Sequence, residues 1–393
     1  MIKMKRNTKF FALPLCLGTL ACSAYAQSSI TLYGHIDEGL NFTNSTRSQF
    51  GQGHSKTALV SGSVGGSRFG LQGTEILGGG NSAVFRLENG YDLNSGGLLQ
   101  GGRMFGRQAY VGLASNTYGT VLLGRQYDPT IDMFSDLTAP GHWAGNVAAV
   151  PFNNDNSDWN FRVDNSVKYI SPTINGFSGE AMYGFSNAGG GFAENRLVSA
   201  AGQYQMGGLT AAVAYMKIDK PGENAGGAVS TGEQMFTAAS QQNIDAGFNY
   251  SIGKSVFGLT YSHTEVDKPT ANTYFTTPVL PGDGSAWASW KFDNFGFNGQ
   301  YYVTPSLWCG ASYTYTIGNL DTTLGHYRPH WHSVALMVSY SLSRSTSIYA
   351  QGAYQHVVSA GTGTQFDDAQ IVGSGPSTTP NQMVYRLAMV HNF

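Results

Sequence analysis

Five aspartates, Asp128, Asp132, Asp136, Asp155 and Asp158, fall within residues 128–161, and no Lys or Arg interrupts them before Arg162. A connection this long without its own periodicity is functional or disordered. Carboxylates gathered in one loop can set up a fixed electric field against cations elsewhere. They do not point to bond-making, because the strings that would are missing. There is no G-x-S-x-G, no G-x-G-x-x-G and no Walker A sequence. The other cluster is His326, His330 and His332 in His326-Tyr327-Arg328-Pro329-His330-Trp331-His332. Two His at i and i+2 share a strand face and could hold a soft metal. No carboxylate or Cys is placed beside them, and Pro329 and Trp331 read as a rim loop with an interfacial aromatic. Neither a metal site nor a cofactor is expected, and the chain does not read as an enzyme.

The elements that position these residues alternate with period two almost everywhere. Ile30, Leu32, Gly34 and Ile36 share one face, and Thr31, Tyr33, His35 and Asp37 the other. Val334, Leu336, Val338, Tyr340 and Leu342 oppose Ser333, Ala335, Met337, Ser339 and Ser341. Such strands suit a soluble β-protein or a barrel with an aqueous lumen and a lipid-facing exterior. Connection lengths separate the two. Short turns at 77–81, 115–118, 172–176, 206–209, 253–255, 304–306 and 343–346 alternate with long loops near 44–56, 93–103, 128–160, 187–195, 220–242, 268–284, 319–330 and 359–381. Seven turns and eight loops predict sixteen strands, provided residues 285–303 form a single one, with both termini on the turn side. The expected fold is all-β: a transmembrane antiparallel barrel wide enough for a water-filled channel.

Both ends agree. Lys3, Lys5, Arg6 and Lys9 precede an apolar run at 10–20, and Ser23-Ala24-Tyr25-Ala26 offers an A-x-A cleavage pattern. Residues 1–26 read as a secretory leader and 27–393 as one domain; lipidation at Cys22 is the rival, weakened by the lack of a Leu three residues before it. Losing the leader's four cations takes the 22 basic residues to 18 against 24 acids, a net charge near −6. Nothing so acidic suggests nucleic acid as a partner. Cys309 is left alone, so no intramolecular disulfide forms. At the other end, Met383, Tyr385, Leu387, Met389, His391 and Phe393 line one face of a strand that stops on its aromatic.

Parity then assigns inward-facing charges. Phe69 and Leu71 turn Arg68 inward; Phe85 and Leu87 turn Arg86 and Glu88 inward; Val163, Val167 and Tyr169, read as lipid-facing, turn Arg162 and Lys168 inward. Arginine suits such a wall because its charge is permanent and its planar head stacks. Arg125 falls on the Val121 and Leu123 face, away from the lumen. Arg107 shares parity with Ala109, Val111 and Leu113, and its direction stays open.

Residues 29–37 (SITLYGHID), 66–73 (GSRFGLQG), 85–90 (FRLENG), 102–113 (GRMFGRQAYVGL), 119–128 (GTVLLGRQYD) and the closing strand resemble, in order and spacing, the general trimeric porins of Gram-negative bacteria, of the neisserial and burkholderial type. The resemblance implies a third loop folded into the lumen, with Ile131-Asp132-Met133-Phe134-Ser135-Asp136 placing Asp132 and Asp136 at acidic constriction positions. The chain departs from the family where Pro140-Gly141-His142-Trp143 stands in place of Pro-Glu-Phe-Gly-Gly. It implies a pore-facing Arg107 and a subunit contact near Arg125, although the second loop holds no acid beyond its start to latch onto Arg125. It implies a last strand, with Tyr385 and Phe393, read by the barrel-insertion machinery. The expected activity is passive diffusion of small hydrophilic solutes and ions by a homotrimer in the outer membrane, among lipid and lipopolysaccharide. A substrate-selective channel, or a structural or adhesive barrel, are the alternatives. The sign of ion selectivity is not readable.

Overall fold

The computed structural model describes residues 29–49, 51–275 and 280–393. The expected leader, its cleavage point and Cys22 lie outside the described residues. Sixteen antiparallel strands close into a barrel. They are β1 (Ser29–Arg47), β2 (Gly53–Ser61 continuing as Arg68–Gly78), β3 (Asn81–Gly90), β4 (Gln108–Ser115), β5 (Gly119–Gln126), β6 (Val163–Ile170), β7 (Phe177–Gly184), β8 (Arg196–Met206), β9 (Leu209–Asp219), β10 (Ser240–Ile252), β11 (Ser255–Asp267), β12 (Trp287–Tyr302), β13 (Leu307–Thr322), β14 (His330–Ser341), β15 (Thr346–Val358) and β16 (Asn381–Asn392). The seven short turns and eight long loops fall where the sequence puts them, and residues 287–302 form one strand. No helix among the described residues is long and apolar enough to cross a membrane.

Closure is made by β16 against β1, with His35 opposite Asn392 and Thr43 opposite Val384. The terminal aromatic extends that seam. Phe393 accepts from the Gly34 N–H at 2.8 Å and donates to the Gly34 carbonyl at 3.1 Å. Its ring lies where a β-carbon on Gly34 would be 2.2 Å away, so a larger residue there would have to displace the ring. Tyr385 is exposed on the outward face of the same strand.

The break in β2 is the one departure from sixteen uninterrupted strands. Residues 62–67 leave the ladder and wrap a carboxylate. The N–H groups of Ser63, Val64 and Gly65 donate to Asp37 Oδ2 at 2.8, 2.7 and 3.2 Å. Arg386 Nη2 and the Tyr349 hydroxyl bond Asp37 Oδ1 at 2.9 and 2.8 Å. Asp37 and Arg386 are fully buried. Every lone pair is answered, which is what makes a buried ion pair tolerable.

Residues 127–162, between β5 and β6, coil into short helical turns and are buried over most of their length. Six amide side chains on the wall hold their backbone and side-chain oxygens. Gln203 donates to the Met133 carbonyl (3.2 Å), Asn249 to Asp136 (3.3 Å) and Asn298 to Leu137 (2.9 Å). Gln351 donates to Ala144 (2.5 Å), and Asn243 and Asn294 donate to the Asn154 carbonyl and side-chain oxygen (3.2 and 2.9 Å). Most of these amides stand beside exposed apolar residues, such as Phe297 beside Asn298 and Tyr250 beside Asn249.

Towards the long-loop end, Phe152 packs with Phe275, Trp331 and Phe366 at ring separations of 4.9, 5.7 and 5.2 Å. Trp290 and Phe292 complete this cluster from the wall. Trp331 is therefore not an interfacial aromatic: it is wholly buried and faces inward, while His330 and His332 belong to β14 rather than to a rim loop. Val163 is corrected as well. It is completely buried against Gly184 and Ala228, because the chain bulges at Asn165 (φ 50°) and parity does not carry through the bulge.

Candidate functional site: an arginine wall beside a folded loop

The β1–β6 side of the interior keeps an open space of about 730 Å³. Arg68, Arg86, Arg107 and Arg162 line it together with Glu88, Asp158, Tyr33, Tyr127 and Trp159. Glu88 is buried at the centre. Its Oε1 accepts from Arg107 Nε at 2.8 Å, its Oε2 accepts from the Tyr33 hydroxyl at 2.8 Å, and Arg68 Nε stands 3.8 Å from Oε2. One carboxylate thus organises two guanidiniums and a phenol. The direction of Arg107, open from parity, is settled because it precedes the first β4 residue and turns to Glu88.

Tyr127 does the remaining work. Its hydroxyl accepts from Arg107 Nη2 at 2.8 Å and Arg162 Nη2 at 2.7 Å, and the Arg162 guanidinium lies 4.8 Å from its ring centre. Trp159 meets the Tyr127 ring edge-on at 4.9 Å. Arg86 bonds Gln72 Oε1 at 2.6 Å and sits over the Tyr33 ring. Aromatic faces attract guanidinium without cancelling its charge, so four cations stay charged with few acids beside them. Tyr33, Tyr127 and Trp159 were missed from the sequence. The inward parity of Tyr33 was the available signal; Tyr127 and Trp159 lie outside the strands, where parity is silent.

The loop-side acids are distributed differently from the expectation. Asp132 pairs with Lys168, which also approaches Glu180 at 3.7 Å; this trio lies against β6 and β7, apart from the arginines. Asp136 is exposed and does not line the arginine space. The loop carboxylate that does line it is Asp158. Burial pushes the Asp158 carboxyl well above the usual range, helped by Asp155 and opposed by Arg162. Burial likewise pushes Asp128 up to about 6 despite the Thr130 N–H that it accepts.

Arg125 does find a latch, from a loop other than the second. It meets Glu233 of the β9–β10 connection at 2.7 Å and Asp164 at 2.6 Å, and Arg103 of the second loop joins the same acids at 3.4 and 3.7 Å. No group of three or more His, Cys, Asp or Glu among the described residues is placed to hold a metal ion.

A family model described as Gram-negative porin matches residues 12–359. An outer membrane porin of Bordetella pertussis is 29% identical over 372 residues, covering 86% of this chain and 91% of its own. Outer membrane porin protein 32 of Delftia acidovorans is 31% identical over 256 residues, covering 61% and 66%. Among solved structures, an anion-selective porin from Comamonas acidovorans superposes with a TM-score of 0.69 at 21% identity, over 93% of this chain and all of that one. A trimeric form of OmpT from Vibrio cholerae gives 0.63 at 17% identity, over 93% and 99%.

Proposed function

The chain belongs to the Gram-negative porin family, and from that premise we propose that residues 127–162 form the constriction of its channel. The barrel is an outer-membrane porin through which small hydrophilic solutes diffuse passively. What supports the constriction is the loop's set of six amide anchors, which draw it against the wall opposite the arginines. The finer reading is that the passage is off-axis and runs between Arg68, Arg86, Arg107 and Arg162 on one side and Asp158 and Trp159 on the other.

A solute there meets guanidinium charge on one side and the Asp158 carboxyl and Trp159 ring on the other. Polar solutes exchange water for these groups, while an apolar solute breaks ordered hydration and gains nothing. Four guanidiniums against Glu88 and Asp158 leave the passage cationic, so anions are preferred. The observation that carries this is the single buried Glu88 shared by two arginines. The pairing of charged aromatic-backed arginines also favours a second reading, selectivity for planar organic anions, which saturable block of single channels by one such solute would separate from general diffusion.

Assembly follows from the exterior. Outward residues on β1–β5 are mostly aliphatic, such as Leu40, Leu71, Val111, Leu113 and Leu123, with Phe42 and Phe69 among them, whereas β10–β13 are richer in aromatics, with Tyr250, Phe257, Phe295, Tyr301 and Tyr313 beside Ile244 and Leu259. Interfacial aromatics belong where lipid is. We place the subunit contact of a homotrimer on the aliphatic wall, and the lipid and lipopolysaccharide contact on the aromatic one. Phe393 and Tyr385 mark the strand that the insertion machinery reads, residues 1–26 the leader that precedes export.

The test is the reversal potential in planar bilayers under a dilute KCl gradient. Arg68→Ala should shift permeability towards cations. Asp132→Asn should change it less, because Asp132 is already matched by Lys168. Both effects shrink in about 1 M salt, where screening reaches only about 3 Å. An unchanged potential for Arg68→Ala in dilute salt would remove the arginine wall from the conduction path.

A further inference from the structure

Among the described residues, Phe152 and Trp159 are the only aromatics whose backbone lies at positive φ, 59° and 57°. A bulky side chain adopts that conformation under strain, and strain of this kind gathers at functional positions. Phe152 is accounted for by its place in the dry aromatic cluster. Trp159 belongs to no such cluster; it is half-buried and lines the open space beside the arginines. Glycine or asparagine would take this backbone conformation more easily. The indole, not the turn, is therefore what calls for tryptophan at 159.

The turn that carries it is held from both sides. Asn156 Oδ1 accepts from the N–H groups of Asn160 and Phe161 at 3.2 and 3.3 Å, and Asn156 Nδ2 donates to Asp128 Oδ2 at 3.0 Å. The Asn160 carbonyl accepts from Arg162 Nη1 at 3.2 Å, and the Tyr274 hydroxyl donates to Asn160 Oδ1 at 3.4 Å. Tyr127 meets the indole edge to face, at 4.9 Å and 84°, a geometry that occupies no more than one face of it. Arg162 stands over the same Tyr127 ring, and its Nη1 and Nη2 bond neutral oxygens. Arg86 likewise bonds the neutral Gln72 side chain and is half-buried. The Arg68 side chain is 28% exposed. An aromatic face and incompletely matched guanidiniums thus share one space.

We propose that Trp159 is a specificity-determining residue of the channel and that the solutes it selects are aromatic carboxylates. The carboxylate lies on Arg68 and Arg86, and the ring stacks on the clear indole face. This rests on the constriction reading above and narrows planar organic anions to those with a π face. Guanidinium forks match a carboxylate in shape and charge. Offset stacking on an indole adds a preference that area alone does not give. A saturated ring of similar size and the same charge finds the arginines but not the stack. A small carboxylate finds only the charge. The open space of about 730 Å³ takes in one such ring with water around it.

The test uses the whole folded protein in planar bilayers, in dilute KCl near neutral pH, where every probe is ionised. Benzoate, cyclohexanecarboxylate and acetate are added in turn, and block of the single-channel current is read. Benzoate should give saturable block, at a concentration about threefold to tenfold lower than cyclohexanecarboxylate. Acetate should give none. A pocket that was merely greasy would instead favour the saturated ring, the more hydrophobic of the two. Trp159→Leu should bring the two ring acids to within about twofold of each other, whereas Trp159→Tyr, which keeps a π face, should hold most of the difference. Equal block by the two ring acids in the unaltered protein, or a benzoate preference that survives Trp159→Leu, would overturn the proposal. The first comparison needs no variant, so it decides the matter even if Trp159→Leu does not insert. If Arg68→Ala shifts the reversal potential and the ring acids still block equally, the constriction reading stands and this inference alone falls.

Discussion

The β1–β6 wall and the β8–β15 wall share one strand geometry and enclose opposite interiors. On the first, inward positions carry Tyr33, Arg68, Arg86 and Glu88, and the space beside them stays open. On the second, inward positions carry Gln203, Asn243, Asn249, Asn294, Asn298 and Gln351, and a loop lies on them. The difference is one of desolvation. Covering an amide costs little when it gains a carbonyl partner, and each bond nets about 1 kcal/mol. Covering a guanidinium costs several kcal/mol unless its charge is matched. The loop therefore docks mainly on the amide wall and leaves an open space beside the charged one, where Tyr127 and Trp159 alone back the buried arginines. Above the amides, where the long loops converge, Phe152, Trp290, Phe292, Trp331 and Phe366 close the rest with a dry cluster.

The largest way to break this comparison is at the seam that holds the charged wall in shape. Asp37→Ala leaves Arg386 buried without its anion, and the N–H groups of Ser63, Val64 and Gly65 without an acceptor. A loss of about 3–5 kcal/mol follows, seen as a lower temperature for the heat-modifiable gel shift. A shift temperature within error of the parent would mean that the β2 break does not depend on this carboxylate.

Next comes the dry side. Phe366→Ala removes the ring shared by most of the aromatic cluster and should cost about 3 kcal/mol locally. The barrel itself should persist. Single-channel conductance should rise, with little change in reversal potential, since the arginine wall is untouched. A change of selectivity without a change of conductance would contradict the separation of the two walls.

The smallest effect concerns pH. Asp128, at the start of the loop, titrates at about 6 in the fold against 3.8 ordinarily. A raised carboxyl pKa means that its contribution to loop docking is complete below 3.8 and is lost as pH rises through about 6. Closures and current noise should therefore grow as pH rises from about 4 through about 6. Asp128→Asn should flatten that trend. Noise independent of pH in the unaltered protein would show that this carboxyl plays no part in holding the loop.

Much of the architecture is local and was legible in the sequence. Period-two alternation assigns a face wherever a strand is unbroken, so Arg68, Arg86, Glu88 and Lys168 could be turned inward from Phe69, Leu71, Phe85, Leu87, Val167 and Tyr169 alone. Turn and loop lengths then count the strands, because an antiparallel barrel must alternate rims. What only the tertiary structure decided lies where alternation stops. A bulge at Asn165 buries Val163, and residues 62–67 leave the ladder to enclose Asp37. Arg107, Tyr127 and Trp159 sit outside strands and are placed by Glu88 and by one another. Asp132 goes to Lys168, and Asp158 to the space that the arginines line, because those placements depend on which segments meet in the fold. A periodic signal fixes direction residue by residue; which charge meets which across the interior is set by contacts between segments far apart in the chain, and no local pattern carries that information.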